Sequence, residues 1–161
     1  MSVFKTTFSR AIRAHKSDNA EIAYPNLAES GTNTTATAFK LIDASGTFIT
    51  NNIYPGDIVH NDTDETSATV VSVDSQTQLT LNANIFTLTG KLYNIYANSP
   101  QAGLGNPGCF LYVGGAGNVS VVTIGNDIVT FFAVPAGTTL PIQVLQLRAT
   151  STTATNVIAL W

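Results

Sequence analysis

Residues 109–161, "CFLYVGGAGNVSVVTIGNDIVTFFAVPAGTTLPIQVLQLRATSTTATNVIALW", decide how this chain folds. Apolar runs at 109–113, 117–124, 127–134, 140–149 and 154–161 are separated by "GGAG", "GND", "PAGTT" and "TSTT". Short β-branched and aromatic runs between turn residues predict the strands of a β-sandwich or barrel, not helices. Within 140–149 the apolar set is Ile142 and Val144, then Leu145, Leu147 and Ala149, so the alternation slips by one residue. A β-bulge or a change of sheet is predicted there. In the closing "NVIALW", Val157 and Ala159 share one face and Ile158 and Leu160 the other, as in a strand covered on both sides. Trp161, the one tryptophan, is expected to close one end of that core or an intersubunit seam, with its carboxylate turned to solvent or to Arg148.

Upstream, residues 38–97 carry shorter runs of the same kind: "AFKLI", "GTFIT", "GDIVHN", "SATVVSV", "QLTLN" and "KLYNIY". They predict a small antiparallel sheet or barrel, with "VDSQTQ" as a hairpin turn. The glycines and prolines of "NSPQAGLGNPG" mark the boundary between the two modules. Four of the seven Lys and Arg residues, Lys5, Arg10, Arg13 and Lys16, lie in the first sixteen positions beside His15. Phe4, Phe8 and Ile12 recur at helical spacing, but Thr6, Thr7 and Ser9 weaken a helix, and an extended arm fits as well. "EIAYPNLAESGTNTTAT" then reads as a linker or surface connection. The expected organisation is all-β: a basic arm and linker at 1–37, a small β module at 38–98 and a C-terminal β-sandwich module at 99–161.

Composition narrows the function. The formal charge is −3, with 7 basic and 10 acidic side chains, too little positive charge for a nucleic-acid binder. No run approaches the ~18 apolar residues of a spanning helix, so no membrane partner is expected, and no signal-peptide core opens the chain. Charged residues are 11% of the sequence, and beyond Lys91 only Asp127 and Arg148 carry side-chain charge. Strands so poor in charge must be buried on both faces or covered by other subunits. A homo-oligomer is expected.

Chemistry-bearing residues are few. His15 and His60 have no His or Cys at metal-ligand spacing, and His60 reads as a strand-end residue near Asp57 and Asp62. No catalytic triad can be assembled. Asn61, Asp62, Asp64 and Glu65 could offer oxygens to a hard cation, but the segment lacks the glycine and distal glutamate of a calcium loop, so a solvated hairpin tip is the plainer reading. The glycines of "GGAG" and "GLGNPG" lie between strands, read as turn formers, and exclude a dinucleotide fingerprint. Cys109 reads as a small buried hydrophobe. No cofactor is expected. Phe4, Phe8, Arg10, Ile12, Arg13 and Lys16, together with Arg148 and Trp161, are the candidate partner-interface residues.

The stretch 111–161 carries "LYVG-x-x-G", "VTF-x-x-V-x-AGT-x-LP" and an "ALW" ending. In these motifs it resembles the spike-base and related head-appendage proteins of tailed bacteriophages and gene transfer agents. It departs at Ser151, where a glycine is commoner. Residues 48–96, with "GD-x-V-x-N", "ATV-x-SV" and "LTL", are similar to a small β module of phage virion proteins. The resemblance implies a non-enzymatic virion protein, made in the host cytoplasm and carried on the capsid exterior or a vertex. As a capsid decoration, cement or head spike-base subunit it would bind major capsid protein or another virion protein, and copies of itself. The alternative is a recognition module for a host glycan or receptor, for which Tyr54, Tyr93 and Tyr96 are the clustered aromatic candidates.

Overall fold

A computed structural model describes residues 7–99 and 104–161; Phe4 and Lys5 lie outside the described residues. Every regular element in it is a strand, and the strands form two antiparallel sheets. The first sheet holds β2 (Leu27–Thr32), β3 (Lys40–Ile42), β4 (Ile58–Asn61), β5 (Thr66–Ser75), β6 (Gln78–Leu81) and β7 (Leu92–Tyr96), in the order β2-β7-β4-β5-β6-β3. The second holds β1 (Ala11–Arg13), β8 (Cys109–Gly115), β9 (Gly117–Thr123), β10 (Ile128–Val134), β11 (Thr138–Leu147) and β12 (Thr155–Leu160), in the order β1-β12-β8-β11-β9-β10. The fold is all-β.

Each sheet closes over its own apolar cluster. In the first, Leu41, Phe48, Val59, Ala68, Val70, Leu79, Phe86, Tyr93 and Ile95 are buried together. In the second, Leu111, Val113, Val119, Val121, Val144, Leu147, Val157, Ala159 and Trp161 are buried together, with Ala14 and Ile22 contributed from the N-terminal segment. The five C-terminal strands, with β1 added at one edge, thus form one hydrogen-bonded six-stranded sheet around its own core.

The predicted irregularity at Val144 and Leu145 is present and has a topological purpose. Residues 138–140 of β11 pair with β8, whereas 144–147 pair with β9, and the register shifts on both sides of Val144. The extra residue lets one strand serve two ladders. The hairpin around "VDSQTQ" also forms, with Ser75 opposite Gln78.

Three expectations need correction. "GTFIT" is a turn, not a strand: the Phe48 amide bonds the Gln76 carbonyl at 3.0 Å and the Ile53 amide returns to the Phe48 carbonyl at 2.9 Å, so Phe48 is driven into the core as a plug. The linker contains β2, which pairs with β7 through Leu27–Thr32. Its Gly31 is required by proximity, because a Cβ there would lie 2.6 Å from both Asp43 Oδ2 and the Tyr93 hydroxyl oxygen. Finally, Gly114, Gly115 and Gly117 belong to strands β8 and β9 rather than to a turn. A Cβ on any of the three would meet Asn156, Thr155 or Ala154 at under 3.0 Å.

Candidate functional site

The segment from Ser9 to Tyr24 joins the two sheets. Ala11, Ile12 and Arg13 pair with Leu160, Ala159 and Ile158, which makes β1 an extended edge strand rather than a helix or free arm. Pairing continues past the strand, since the Trp161 carbonyl accepts from the Ser9 amide at 2.7 Å and the Trp161 amide donates to the Arg10 carbonyl at 2.9 Å. Beyond β1 the chain becomes a strap. On one side the Ser17 and Ile22 amides bond the Leu147 and Leu145 carbonyls at 2.9 and 2.7 Å. On the other, the Ser17 hydroxyl bonds the Ser67 carbonyl at 3.1 Å, and the Asn19 carbonyl accepts from Thr69 and Asn82. Backbone donors and acceptors in a buried seam require partners, and this strap takes them from both sheets.

The candidate interface residues among those described make contacts within the chain. Arg10 donates to the Pro25 carbonyl at 2.6 Å and lies 5.7 Å above the Tyr24 ring. Arg13 pairs with Glu65 at 2.7 Å, and Lys16 reaches the Thr152 carbonyl at 3.5 Å. Arg148 faces Asp18 at 3.7 Å, not Asp127 or the last residue. Phe8 packs on Phe110, ring centroids 5.6 Å apart, and Ile12 borders both the second core and the seam. Trp161 is 9% exposed and meets Tyr24 edge-on at 5.6 Å, as expected of a core-closing residue; its indole Nε1 has no hydrogen-bond partner among the described residues. Residues 11–13 of the basic stretch pair with β12 as an edge strand, while the Arg10 and Arg13 side chains stay at the surface.

The acidic trio is divided. Asp64 bonds Lys91 at 2.8 Å and Asn61 at 2.9 Å, and its pKa is lowered chiefly by the lysine. Glu65 is taken by Arg13. Asp62 alone turns inward, with Oδ1 3.6 Å from His15 Nε2 and a pKa raised by burial. Here sequence spacing misled: His15 and His60, 45 positions apart, stack with ring centroids 4.0 Å apart. His60 is 3% exposed. Burial pushes both imidazoles toward the neutral form, His60 most strongly, against partial support of His15's charge by the Thr66 carbonyl and Asp62.

Compared with known proteins, the chain matches no protein-family model, no curated protein and no solved structure. Its own surface must carry the argument.

Two surface features stand out. Strand β10 ends the second sheet and pairs only with β9 among the described residues. It carries no charge, and Ile128 and Phe132 are 64% and 76% exposed. The second feature is an open groove of about 1000 Å³ along the seam, lined by Asn52, Tyr54, Asn82, Asn98 and Asn106 among others. Tyr54 is 62% exposed at this groove. Tyr93 is not a platform: it is buried and donates to Asp43 Oδ2 at 2.8 Å. Tyr96 is half-buried against His60. Cys109 is buried, with its thiol pushed up to about 12 by burial.

Proposed function

We propose that this chain is a structural subunit of a tailed-phage virion, a capsid decoration or head spike-base protein that binds capsid protein and copies of itself. The observation that carries the reading is β10, an uncharged edge strand with exposed Ile128 and Phe132. Natural proteins blunt such edges with lysine, proline or a covering element; an edge left bare in a protein with so little charge suits association with another chain. The motifs of residues 111–161 supply the virion setting. β10 is the surface on which the proposal places the contact with another chain.

The test is the mass of the purified protein in solution and its binding to particles that lack it, for the natural sequence and for Phe132→Lys. The natural protein is expected to be oligomeric or to decorate particles, and Phe132→Lys to lose that association while remaining folded. A monomer that binds no particle would overturn the reading.

A second reading is favoured by the groove. Exposed Tyr54 offers a stacking face at this asparagine-lined groove, the aromatic element of a saccharide site. A glycan array probed with the natural protein and Tyr54→Ala tests it: binding lost in the variant supports recognition, and no binding by either removes it.

A further inference from the structure

We propose that His15, His60 and Asp62 form a zinc-type metal site that fastens the strap after β1 to the first sheet. One nitrogen of each imidazole and one carboxylate oxygen of Asp62 all lie within 4.8 Å of one another. Tetrahedral zinc, with bonds of about 2.0–2.2 Å, needs ligand atoms about 3.3–3.5 Å apart. The two rings are stacked, 20° from parallel, so binding requires a ring to turn out of the stack until both in-plane lone pairs meet the ion. Two imidazoles and one carboxylate leave a fourth position open and match zinc rather than calcium or magnesium, which prefer all-oxygen shells.

The surroundings position the ligands. His15 Nδ1 lies 3.4 Å from the Thr66 carbonyl, which as an acceptor selects the N–H on Nδ1 and leaves the Nε2 lone pair toward Asp62. Nε2 and Asp62 Oδ1 then face each other as two acceptors at 3.6 Å, too far for a hydrogen bond and reconciled by a cation between them. The other oxygen of Asp62 accepts from the Asn94 amide, so the carboxylate is anchored with Oδ1 directed at the histidines. Such outer partners hold metal ligands in orientation. His60 makes ring contacts with His15 and Tyr96 but no side-chain hydrogen bond among the described residues. Of the three ligands, His15 also lines a neighbouring cleft of about 300 Å³, beside Arg13, Lys16 and Glu65.

The topology gives the site its consequence. His60 belongs to β4 and Asp62 follows it, whereas His15 follows β1 of the second sheet. A bound ion would bridge the two sheets at a point where the ion pair of Arg13 with Glu65 already spans them. It would stabilise the folded chain by binding N and not U.

The proposal is tested on the full chain, prepared without an affinity tag and stripped with chelator. Zinc uptake is measured by calorimetry, cobalt uptake by visible absorption and the melting temperature with and without zinc. One equivalent of zinc, a visible cobalt band and a zinc-dependent rise in melting temperature are expected. His15→Gln and Asp62→Asn should each weaken zinc affinity by at least about tenfold and remove the rise, with the far-ultraviolet spectrum and Trp161 emission unchanged. No stoichiometric uptake at micromolar zinc would overturn the site, leaving the two rings as a packing pair. So would uptake that both variants retain. Because β10 lies at the far edge of the second sheet, these outcomes are independent of whether the protein decorates capsids.

Discussion

The two sheets solve one construction problem and then part company at their edges. Each has six antiparallel strands, and each contains one ten-residue strand shared between two ladders. β5 pairs with β4 and then with β6, and β11 pairs with β8 and then with β9. The edges differ. On the first sheet β3 carries Lys40, whose Nζ meets Asp74 at 2.7 Å, and the same carboxylate accepts from Gln78 and Thr80 at 2.9 and 2.8 Å. On the second sheet one edge is β1, which carries Arg13 paired with Glu65, and the other, β10, bears Ile128 and Phe132 with no charge. A charged edge opposes pairing with another chain, and a bare one invites it. Architecture sets how many edges a fold has; side-chain chemistry sets which of them is available.

The largest expected effect falls on the second sheet. Trp161→Ala removes the side chain that closes its core, and should lower the unfolding free energy by about 3–5 kcal/mol in urea titration followed by circular dichroism. A change below about 1 kcal/mol would show that the indole is not part of the core. The counterpart in the first sheet is Gly31→Ala. Its Cβ would displace the Tyr93 hydroxyl from Asp43 and should cost about 1–3 kcal/mol. Tyr93→Phe serves as the control: if Gly31→Ala has no more effect than a surface substitution, the close approach is not a constraint.

Ser151 sharpens the comparison at a turn. Its φ of 70° lies in the left-handed region, which glycine adopts without steric cost. The serine is therefore a local strain, and Ser151→Gly should raise stability by up to about 1 kcal/mol, read as a higher melting temperature. An unchanged or lower value would mean that the hydroxyl compensates.

The smallest effect is on the protected edge. Lys40 beside Asp74, with hydrogen bonds from Gln78, Ser72 and Thr80, holds that carboxyl below its usual range. A depressed carboxylate pKa contributes stability above the unfolded value of about 3.9, and loses it as pH falls through the folded value. The pair is partly exposed, so Lys40→Met should cost only about 0.2–1 kcal/mol at neutral pH. The difference from the natural protein should shrink below about pH 4. The same variant should increase self-association, whereas Phe132→Lys decreases it. A difference independent of pH would place the lysine's contribution in packing instead.

How much of this was legible in the sequence varied with the range of the interaction. The strands read at 109–113, 117–124, 127–134 and 154–161 followed from local alternation and turn residues, because side chains in a strand alternate with a period of two, although β8 runs on into the glycines read as a turn. The break at Val144 followed from a slip in the same pattern. "GTFIT" has strand-like composition but turns, since the Gln76 side chain and carbonyl satisfy the amides of Phe48, Ile49 and Thr50. β1 and β2 were hidden because each is short and pairs with a strand more than 60 residues away, Ile12 with Ala159 and Glu29 with Ile95. The candidate metal cluster was hidden for the same reason.

The sequence by itself determined an all-β chain, a bulge in the 140–149 strand and a composition poor in charge. These depend on periodicity, turn chemistry and composition, which are local or additive. Tertiary structure alone decided that the basic N-terminal segment is tied into the seam, that β10 is the bare edge and that His15 meets His60 and Asp62. Each of these depends on strand order, and strand order is fixed by which distant edges can exchange backbone hydrogen bonds while burying their apolar faces. No window of neighbouring residues contains that information.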